Sequence, residues 1–492
     1  MTFPILSVII FSPLVGALIL LLMPADRKTE IRVVALMTAV FALILSLWDY
    51  LNYDQTAAGY QFIEKYNWMP QLGISLHLGV DGISTPLVLL TGVVMFTGVI
   101  ISWGIEDRPR EFFAFLFHLA SGVFGVFVAL DLFMLFFFYE IAVFPMYLLI
   151  AIWGWVKTRE YAAMKLTLYL FIGSVIALVG ALAMYFNSGL GTFDMLMLQT
   201  ANFSAEFQKI WFLPVFMGFA VLGGIFPFHN WSPDGHVAAP TAVSMFHAGV
   251  LMKLGAFAAL RVGIMLLPEG AVFWQPLIFA LATINVVYGA FIAMTQTDLK
   301  YMIGFSSVSH MGLVMLGFAT LTPAGMTGAG VQMFSHGVMT ALFFAATGMV
   351  YDRAHTRQIP ELGGMMKPLP YVGITFIIGG LVSMGMPGFS GFVAEFPIFM
   401  GVWAYKPWVA ILAVISIVIT AAYIMLAIRR TFFGEMPKEF EGHITPISVM
   451  DKVALTLLSG LMIALGTLPQ IMVPMVQTGV KTVMDLLPEV IK

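Results

Sequence analysis

The 492-residue sequence contains no cysteine. This absence excludes disulfides, thiolate metal sites, cysteine nucleophiles and iron–sulfur clusters bound by this chain. Charged residues are also scarce, at 10% against roughly a quarter in soluble globular domains. The few Lys and Arg residues form no basic cluster, so we expect no nucleic-acid partner.

Apolar residues take their place: 60% of the sequence is hydrophobic and the mean hydropathy is +0.96. Apolar runs of about 20 residues, the length that a helix needs to cross a bilayer, follow one another along the chain. The two-residue alternation of a membrane β-barrel is missing. Since lipid tolerates no unpaired backbone groups, the composition predicts an all-α integral membrane protein.

Hydropathy and helix-breaking residues predict about fourteen transmembrane helices. We expect the first to be retained, because it carries neither a basic segment nor a cleavage pattern. The predicted spans lie near residues 5–23, 31–51, 84–103, 112–129, 131–153, 165–187, 209–229, 240–266, 272–293, 301–320, 327–350, 371–402, 407–432 and 451–475. Most Lys and Arg residues fall in loops on the side opposite the two termini, which predicts a bacterial inner-membrane protein with both termini on the outer, periplasmic side.

Proline and glycine interrupt two predicted spans, which we expect to be discontinuous helices. The seventh span runs into FPFHNWSPDGHVAAP, and the twelfth contains GMPGFSG. Because these interruptions are five spans apart, we predict two inverted five-helix repeats. The predicted divisions are helices 1–3 (residues 1–111), the first repeat (112–266), the second repeat (267–432), and helix 14 with the C-terminal tail (433–492).

Three charged residues lie inside apolar runs: Glu140, Lys253 and Glu395. A charge at the bilayer centre costs about 2.5–3.5 kcal/mol, so such residues are candidates for proton carriers. For Glu140, the alternative is a protonated carboxyl group that bonds a neighbouring helix. We expect Glu395 to lie at the start of a half-helix, where the helix dipole acts on it. Asp131 and Asp298 lie near span ends, where we expect interface residues and, for Asp298, a helix cap.

Histidines lie close to these residues, and imidazole suits proton transfer because its ordinary pKa is near neutral. The candidates for the relay are His247, His310 and His336. His229 and His236, beside the first interruption, have the alternative role of bonding backbone groups that the break frees. The spacing around these two histidines matches no metal motif, and we expect no metal or cofactor bound by this chain.

Six segments carry a more specific signal: FPFHNWSPDGHVAAPTAVS, YAAMKLTLYLFIGS, TDLKYMIGFSSVSHMG, FSHGVMTALFF, HTRQIPELGGM and GMPGFSGFVAEF. Together they resemble the antiporter-like membrane subunits of respiratory complex I. The resemblance covers nearly the whole chain. It is strongest to the M, or chain 4, type, because of the HTR stretch and of AGVLMK in the eighth span.

This resemblance implies a proton channel of two half-channels, joined by a hydrated polar axis and driven by redox chemistry in other subunits. By motif, Glu140, Lys253 and Glu395 match the family's charged residues on spans five, eight and twelve, and His310 and His336 match its connecting histidines. Flavin, iron–sulfur clusters and quinone are then expected in partner subunits. The implied partners are antiporter-like L- and N-type, small K-, J- and A-type and quinone-site H-type subunits.

One position departs from the family pattern. The family usually carries a lysine on span seven, paired with the span-five glutamate, and this sequence has Leu222 there. Related subunits carry a histidine at the place of His247. We hypothesise that His247 takes over the relay between Glu140 and Lys253.

Three functions stay open at this point. The first is a proton-translocating subunit of an NADH or ferredoxin:quinone oxidoreductase, without a redox site of its own. The second is a subunit of a multi-subunit sodium/proton antiporter. The third, motivated by Leu222, is a structural subunit that does not pump.

Overall fold

The computed structural model describes residues 3–488, and helices dominate it. The helices of the first half are α1 (Ile5–Leu22), α2 (Lys28–Asn52), α3 (Ser84–Ile101), α4 (Pro109–Val128), α5 (Leu132–Trp153), α6 (Arg159–Ser188), α7 (Met195–Leu198), α8 (Ala205–Leu222) and α9 (Trp231–Ala238). Those of the second half are α10 (Thr241–Ile264), α11 (Pro268–Thr295), α12 (Leu299–Ala319), α13 (Pro323–Ala354), α14 (Pro370–Ser383), α15 (Ser390–Tyr405), α16 (Pro407–Phe432), α17 (Val449–Thr467) and α18 (Val473–Leu486).

Of the described helices, 13 are long and apolar enough to cross a membrane. The twelfth predicted span is built from two shorter helices, α14 and α15. The prediction of an all-α membrane protein with about fourteen transmembrane helices is thus confirmed. The inverted relation of the two five-helix sets and the boundaries drawn from it stay predictions.

The helices form an inner group and an outer group. Helices α3, α4, α10, α12 and α13 are almost wholly buried, whereas α1, α2, α6, α11, α16 and α17 expose much of their apolar surface. The inner helices nevertheless carry many of the polar side chains, because lipid does not reach them. The polar residues of these inner helices therefore lie where only protein or water can meet them.

Both predicted interruptions are confirmed. Helix α8 ends at Leu222, and Gly224, with φ +74°, turns the chain into the coil that precedes α9. Helix α14 ends at Ser383, and Gly385, with φ +61°, makes the corresponding turn before α15. Positive φ values are accessible to glycine without the steric cost that a Cβ atom would add.

The two aspartates near predicted span ends both cap helices. Asp298 Oδ1 accepts hydrogen bonds from the backbone N–H groups of Lys300 and Tyr301 at the start of α12. Asp131 Oδ1 caps α5 in the same way. The expected cap at Asp298 is confirmed, and each cap satisfies N–H groups that have no partner within the helix.

The C-terminal part differs from the prediction. The fourteenth span was expected to reach residue 475, but α17 ends at Thr467, shortly before Pro469. Proline cannot continue the helix, because it lacks the N–H donor and disfavours a helical residue before it. Helix α18 follows separately and packs Val476 against Gly330 of α13.

An antiparallel hairpin joins α2 to α3, and its strands are β1 (Gln61–Met69) and β2 (Ile74–Val80). The hydropathy pattern does not predict this hairpin. The hairpin is tied to the segment before α7, since Asp194 Oδ2 lies 2.6 Å from Lys65 Nζ and 3.0 Å from His77 Nδ1. Burial opposes the charge of Asp194, but these two contacts hold the pKa of its carboxyl group well below the usual range.

A buried ion pair joins the start of α3 to the end of α10. Arg261 Nη2 lies 2.5 Å from Asp81 Oδ1, and both side chains are almost fully buried. The guanidinium group also lies over the rings of Tyr60 and Phe257. Removing one partner of such a pair leaves an uncompensated charge inside the protein.

We predict that Asp81→Asn destabilises the protein by about 3–5 kcal/mol, because Arg261 then stays buried without its partner. The measurement is thermal unfolding of the tagged protein in mild detergent. The control is Glu106→Gln, which removes an exposed carboxylate that pairs with Lys28 and Arg32 at the surface. Equal melting temperatures for the two variants would contradict this account of the Asp81–Arg261 pair.

Candidate functional site

Lys253 lies in the middle of the fully buried helix α10. The hydrogen-bonding pattern of this helix widens to π-type over His247–Leu251 and again over Ala259–Ile264, on either side of Lys253. Such π turns change the direction in which side chains point and are frequent at functional sites. The only bonding partners of Lys253 Nζ within residues 3–488 are the carbonyl oxygen of Ala248 and the ring of His336.

His336, on α13, connects Lys253 to the second broken helix. Lys253 Nζ lies 2.9 Å from His336 Nδ1. An ammonium donor at Nδ1 leaves the ring proton on Nε2, which has no partner among the described side chains. The His336 ring stacks on the His310 ring of α12, with centroids 5.3 Å apart.

His310 and Glu395 continue the series of contacts that begins at Lys253 and passes through His336. His310 Nδ1 lies 2.8 Å from the Ser306 carbonyl oxygen, and Nε2 faces the Ser383 carbonyl oxygen at 3.3 Å. His310 Nε2 also lies 3.5 Å from Glu395 Oε1, which accepts a hydrogen bond from Gln332 Nε2 at 3.2 Å. Because both ring nitrogens face oxygen atoms, the His310 ring can hold a proton on each.

We call Lys253, His336, His310 and Glu395 the central axis. All four side chains are buried, and consecutive members are in hydrogen-bonding distance, in ring contact or within 3.5 Å. Glu395 lies in the second turn of α15, whose first turn holds no acidic residue. The prediction that Glu395 lies at the start of the half-helix is therefore wrong, and the helix dipole, which fades within the first turn, does not act on it strongly.

His236 and His247 form a second buried group beside the first break. Their ring centroids are 4.0 Å apart, and His247 also stacks on Trp231 at 5.1 Å. His236 Nε2 lies 3.0 Å from Ser232 Oγ, whereas neither nitrogen of His247 has a hydrogen-bond partner in the described part of the chain. The site needs Gly235, because a Cβ atom there would lie 2.7 Å from His247 Cε1.

Other side chains satisfy the backbone at the first break. Trp231 Nε1 donates to the Val221 carbonyl oxygen at 3.0 Å, and Asn285 Nδ2 donates to the Gly224 carbonyl oxygen at 3.0 Å. The alternative role of His229 and His236 is therefore wrong, because neither ring bonds a backbone group in residues 3–488. In this region the break leaves two imidazole rings free for other chemistry.

Glu140 does not join the central axis. Its side chain is exposed on α5, between the exposed rings of Phe137 and Phe144. It makes no hydrogen bond or ion pair with any described residue. Leu222, at the expected lysine position, is fully buried. The relay between Glu140 and Lys253 through His247 stays a prediction, since His247 contacts the His236 ring rather than Glu140.

Sequence reasoning missed several polar residues of the interior. Gln332 reaches Glu395 from α13, and Asp234 pairs with Lys165 at 2.7 Å and accepts from Tyr301 at 3.1 Å. Lys300 falls between the predicted spans 272–293 and 301–320, but its side chain is buried. Each of these residues lies near a predicted span end or is uncharged, so hydropathy did not single it out. In the described chain, no three His, Asp or Glu side chains come together as a metal site would require.

The fold and the central axis define a class, the ion-translocating membrane proteins whose broken helices flank buried polar residues. Comparison with known proteins narrows this class. A sequence model of the family described as "NADH:quinone oxidoreductase/Mrp antiporter, TM" matches residues 129–420. The curated NAD(P)H-quinone oxidoreductase chain 4-2 of Synechocystis sp. is 38% identical over 440 residues, which cover 88% of this chain and 78% of that protein. The chain therefore belongs to the NADH:quinone oxidoreductase/Mrp antiporter family of membrane subunits.

Solved structures agree with this assignment. A chain of respiratory complex I from Thermus thermophilus is 27% identical and superposes with a TM-score of 0.90, over 98% of this chain and all of that one. A chain of the Mrp complex from Dietzia sp. is 19% identical with a TM-score of 0.87, over 99% of this chain and 98% of that one, and it shows the shared fold alone. The resemblance to complex I subunits that the motifs predicted is confirmed.

We predict that Asn285→Ala destabilises the protein by about 1–3 kcal/mol, because it leaves buried carbonyl groups without a donor. Asn285 Nδ2 bonds the carbonyl oxygens of Gly224 and Val308, so it ties the first break to α12. The control is Thr283→Ala on the same helix, where the lost bond is to Phe279 one turn away. Thermal unfolding in detergent checks the prediction, and a loss no larger than that of the control would contradict it.

Proposed function

We propose that this chain is a proton-translocating membrane-arm subunit of a complex I type quinone oxidoreductase, with NADH or ferredoxin as electron donor. The central axis supports this proposal most directly. It joins a lysine, two histidines and a glutamate inside the protein, and all four can gain and lose protons. The 38% identity to a relative named NAD(P)H-quinone oxidoreductase chain 4-2 favours the redox-driven complex.

In the proposed mechanism, protons move along the central axis by transfer between neighbours. Lys253 passes a proton to His336 across the 2.9 Å contact. The next acceptor is His310, whose ring lies against that of His336. His310 then passes it to Glu395, with which it lies in near contact. Gln332 holds the Glu395 carboxylate in place through one oxygen atom and leaves the other free. Motion of the ring of His336 or of ordered water completes the step between the two histidines.

This chain contributes no electron carrier to the proposed complex. Flavin, iron–sulfur clusters and quinone belong to partner subunits, and the partners include antiporter-like L- and N-type, small K-, J- and A-type and quinone-site H-type subunits. The chain crosses a bacterial inner membrane many times with both termini on the periplasmic side. Redox steps elsewhere alter the charges next to the central axis and so drive the transfers, which is coupling between distinct sites.

Glu140 fits this assembly as a contact residue. A carboxyl group exposed at membrane depth is costly against lipid, and the exposed rings of Phe137 and Phe144 surround it with apolar surface. A neighbouring subunit that covers this face of α5 provides both an apolar contact and a partner for the carboxyl group. Leu222 favours a second candidate function, a structural subunit that does not pump.

We predict that Lys253→Met and Glu395→Gln each slow proton transfer through this chain by about 10²-fold or more, since each removes a proton carrier from the central axis. The measurement is the number of protons translocated per electron in sealed vesicles that contain the whole complex. The ratio should fall while electron transfer to quinone persists.

The matched control is Glu439→Gln, which changes an exposed carboxylate in the loop between α16 and α17. This variant should keep the wild-type ratio. An unchanged ratio in both central-axis variants would favour the structural subunit. Proton movement that needs sodium and no electron donor would favour the sodium/proton antiporter.

A further inference from the structure

A cavity of about 400 Å³ opens where α3 and α5 end and α10 and α12 begin. Its lining includes Trp155, Thr241, Lys300, Asp352 and Arg357. The distribution of Lys and Arg predicts that this face is the cytoplasmic one. The cavity therefore opens toward the cytoplasm.

Lys300 forms the inner wall of this cavity. Its side chain is buried, and Nζ donates to the Ala239 carbonyl oxygen at 2.8 Å and to Ser244 Oγ at 3.3 Å. The nearby carboxylate of Asp298 is engaged elsewhere, since its Oδ2 pairs with Arg357 Nε at 2.5 Å. Lys300 Nζ therefore meets only neutral oxygen atoms among the described residues, and its ammonium group can lose a proton without breaking an ion pair.

Ser244 connects Lys300 to the histidines at the first break. Its hydroxyl group donates to the His236 carbonyl oxygen at 2.8 Å and accepts from Lys300 Nζ. The His236 ring in turn lies against the His247 ring, with centroids 4.0 Å apart. His236 Nδ1 has no hydrogen-bond partner within residues 3–488, so it is free to accept a proton.

Asp352 lies at the outer end of the cavity. Its carboxylate is exposed and makes no ion pair within the described chain. The adjacent Arg353 turns away from it, toward Asp451 at 3.6 Å and the Thr445 carbonyl oxygen at 2.8 Å. An exposed carboxylate of this kind exchanges protons with the surrounding water and can transfer them to water inside the cavity.

We propose that this cavity is the proton-uptake site of the chain and that Lys300 carries protons from it toward His236 and His247. The inference rests on the proposed function and adds the entry point to it. Water in the cavity transfers a proton from the Asp352 carboxyl group to the neutral Lys300 amine. The ammonium group that forms then releases a proton to His236 Nδ1, and the amine is restored.

Lys300 has one competing role, which is purely structural. Ala239 is the C-cap of α9, and a lysine that bonds the last carbonyl groups of a helix stabilises its end. Replacing Lys300 with arginine distinguishes the structural role from the proton-carrying role. A guanidinium group keeps the charge and the hydrogen bonds, but it does not give up its proton in proteins.

The first test compares Lys300→Met and Lys300→Arg in the intact complex in sealed vesicles, with protons per electron as the readout. We expect both variants to lower the ratio to the level of Lys253→Met, while electron transfer to quinone persists. Lys367→Met, at an exposed lysine on the same face, serves as the control and should keep the wild-type ratio.

A wild-type ratio in Lys300→Arg would overturn the uptake role, because the charge and the hydrogen bonds alone would then suffice. If Lys300→Met keeps the ratio and Lys253→Met lowers it, the inference fails and the proposed function stands. If Lys253→Met also keeps the ratio, the proposed function fails and the inference fails with it.

The second test uses the absence of cysteine from the chain. A single Thr241→Cys variant places a thiol in the cavity wall, and a membrane-impermeant thiosulfonate reagent probes it in vesicles of both orientations. We expect labelling from the cytoplasmic side only, with loss of proton translocation in the same preparation after labelling. Thr56→Cys, in the exposed segment before β1, should label from the opposite side, and Ser307→Cys, fully buried, should not label. Labelling of Thr241→Cys from the periplasmic side, or labelling that leaves translocation intact, would overturn the proposal.

Discussion

The buried ammonium group of Lys253 is the constraint on which much of this fold depends. A charge at membrane depth needs partners inside the protein, because lipid supplies none. Here these partners are the Ala248 carbonyl oxygen and the His336 ring, with no carboxylate in contact. This need is consistent with the almost complete burial of α10 and α13 inside the bundle. Because neither partner is a carboxylate, Lys253 can lose a proton without breaking an ion pair.

The two broken helices follow from the same constraint. Each break exposes backbone groups in the interior, and each is satisfied by side chains at the site: Trp231 and Asn285 at the first break, His310 at the second. The breaks also bring polar side chains to membrane depth, Glu395 on α15 and His236 on α9. The residues that satisfy the backbone at the breaks therefore lie beside the residues for which we propose proton transfer.

Hydropathy and motifs predicted the membrane helices and both breaks, because apolar length, proline and glycine act locally. They also singled out Lys253 and Glu395, since a charge inside an apolar run is rare. Hydropathy and motifs did not predict the residues whose roles depend on tertiary contacts. Asp81 and Arg261 are far apart in sequence and meet only in the folded chain, and Lys300 lies near a span end, where lysine is ordinary. The exposure of Glu140 depends on which face of α5 points outward, and the all-apolar sequence around it has no periodicity that would reveal this.

Purification through a tag on this chain, in mild detergent, tests the central claim most directly. The claim is that the chain works inside a redox-driven proton pump. The account predicts that the purified assembly carries flavin and iron–sulfur absorbance, that this absorbance is reducible, and that the assembly passes electrons to a quinone. A cofactor-free assembly of small membrane proteins would contradict the claim and would assign the chain to a cation/proton antiporter.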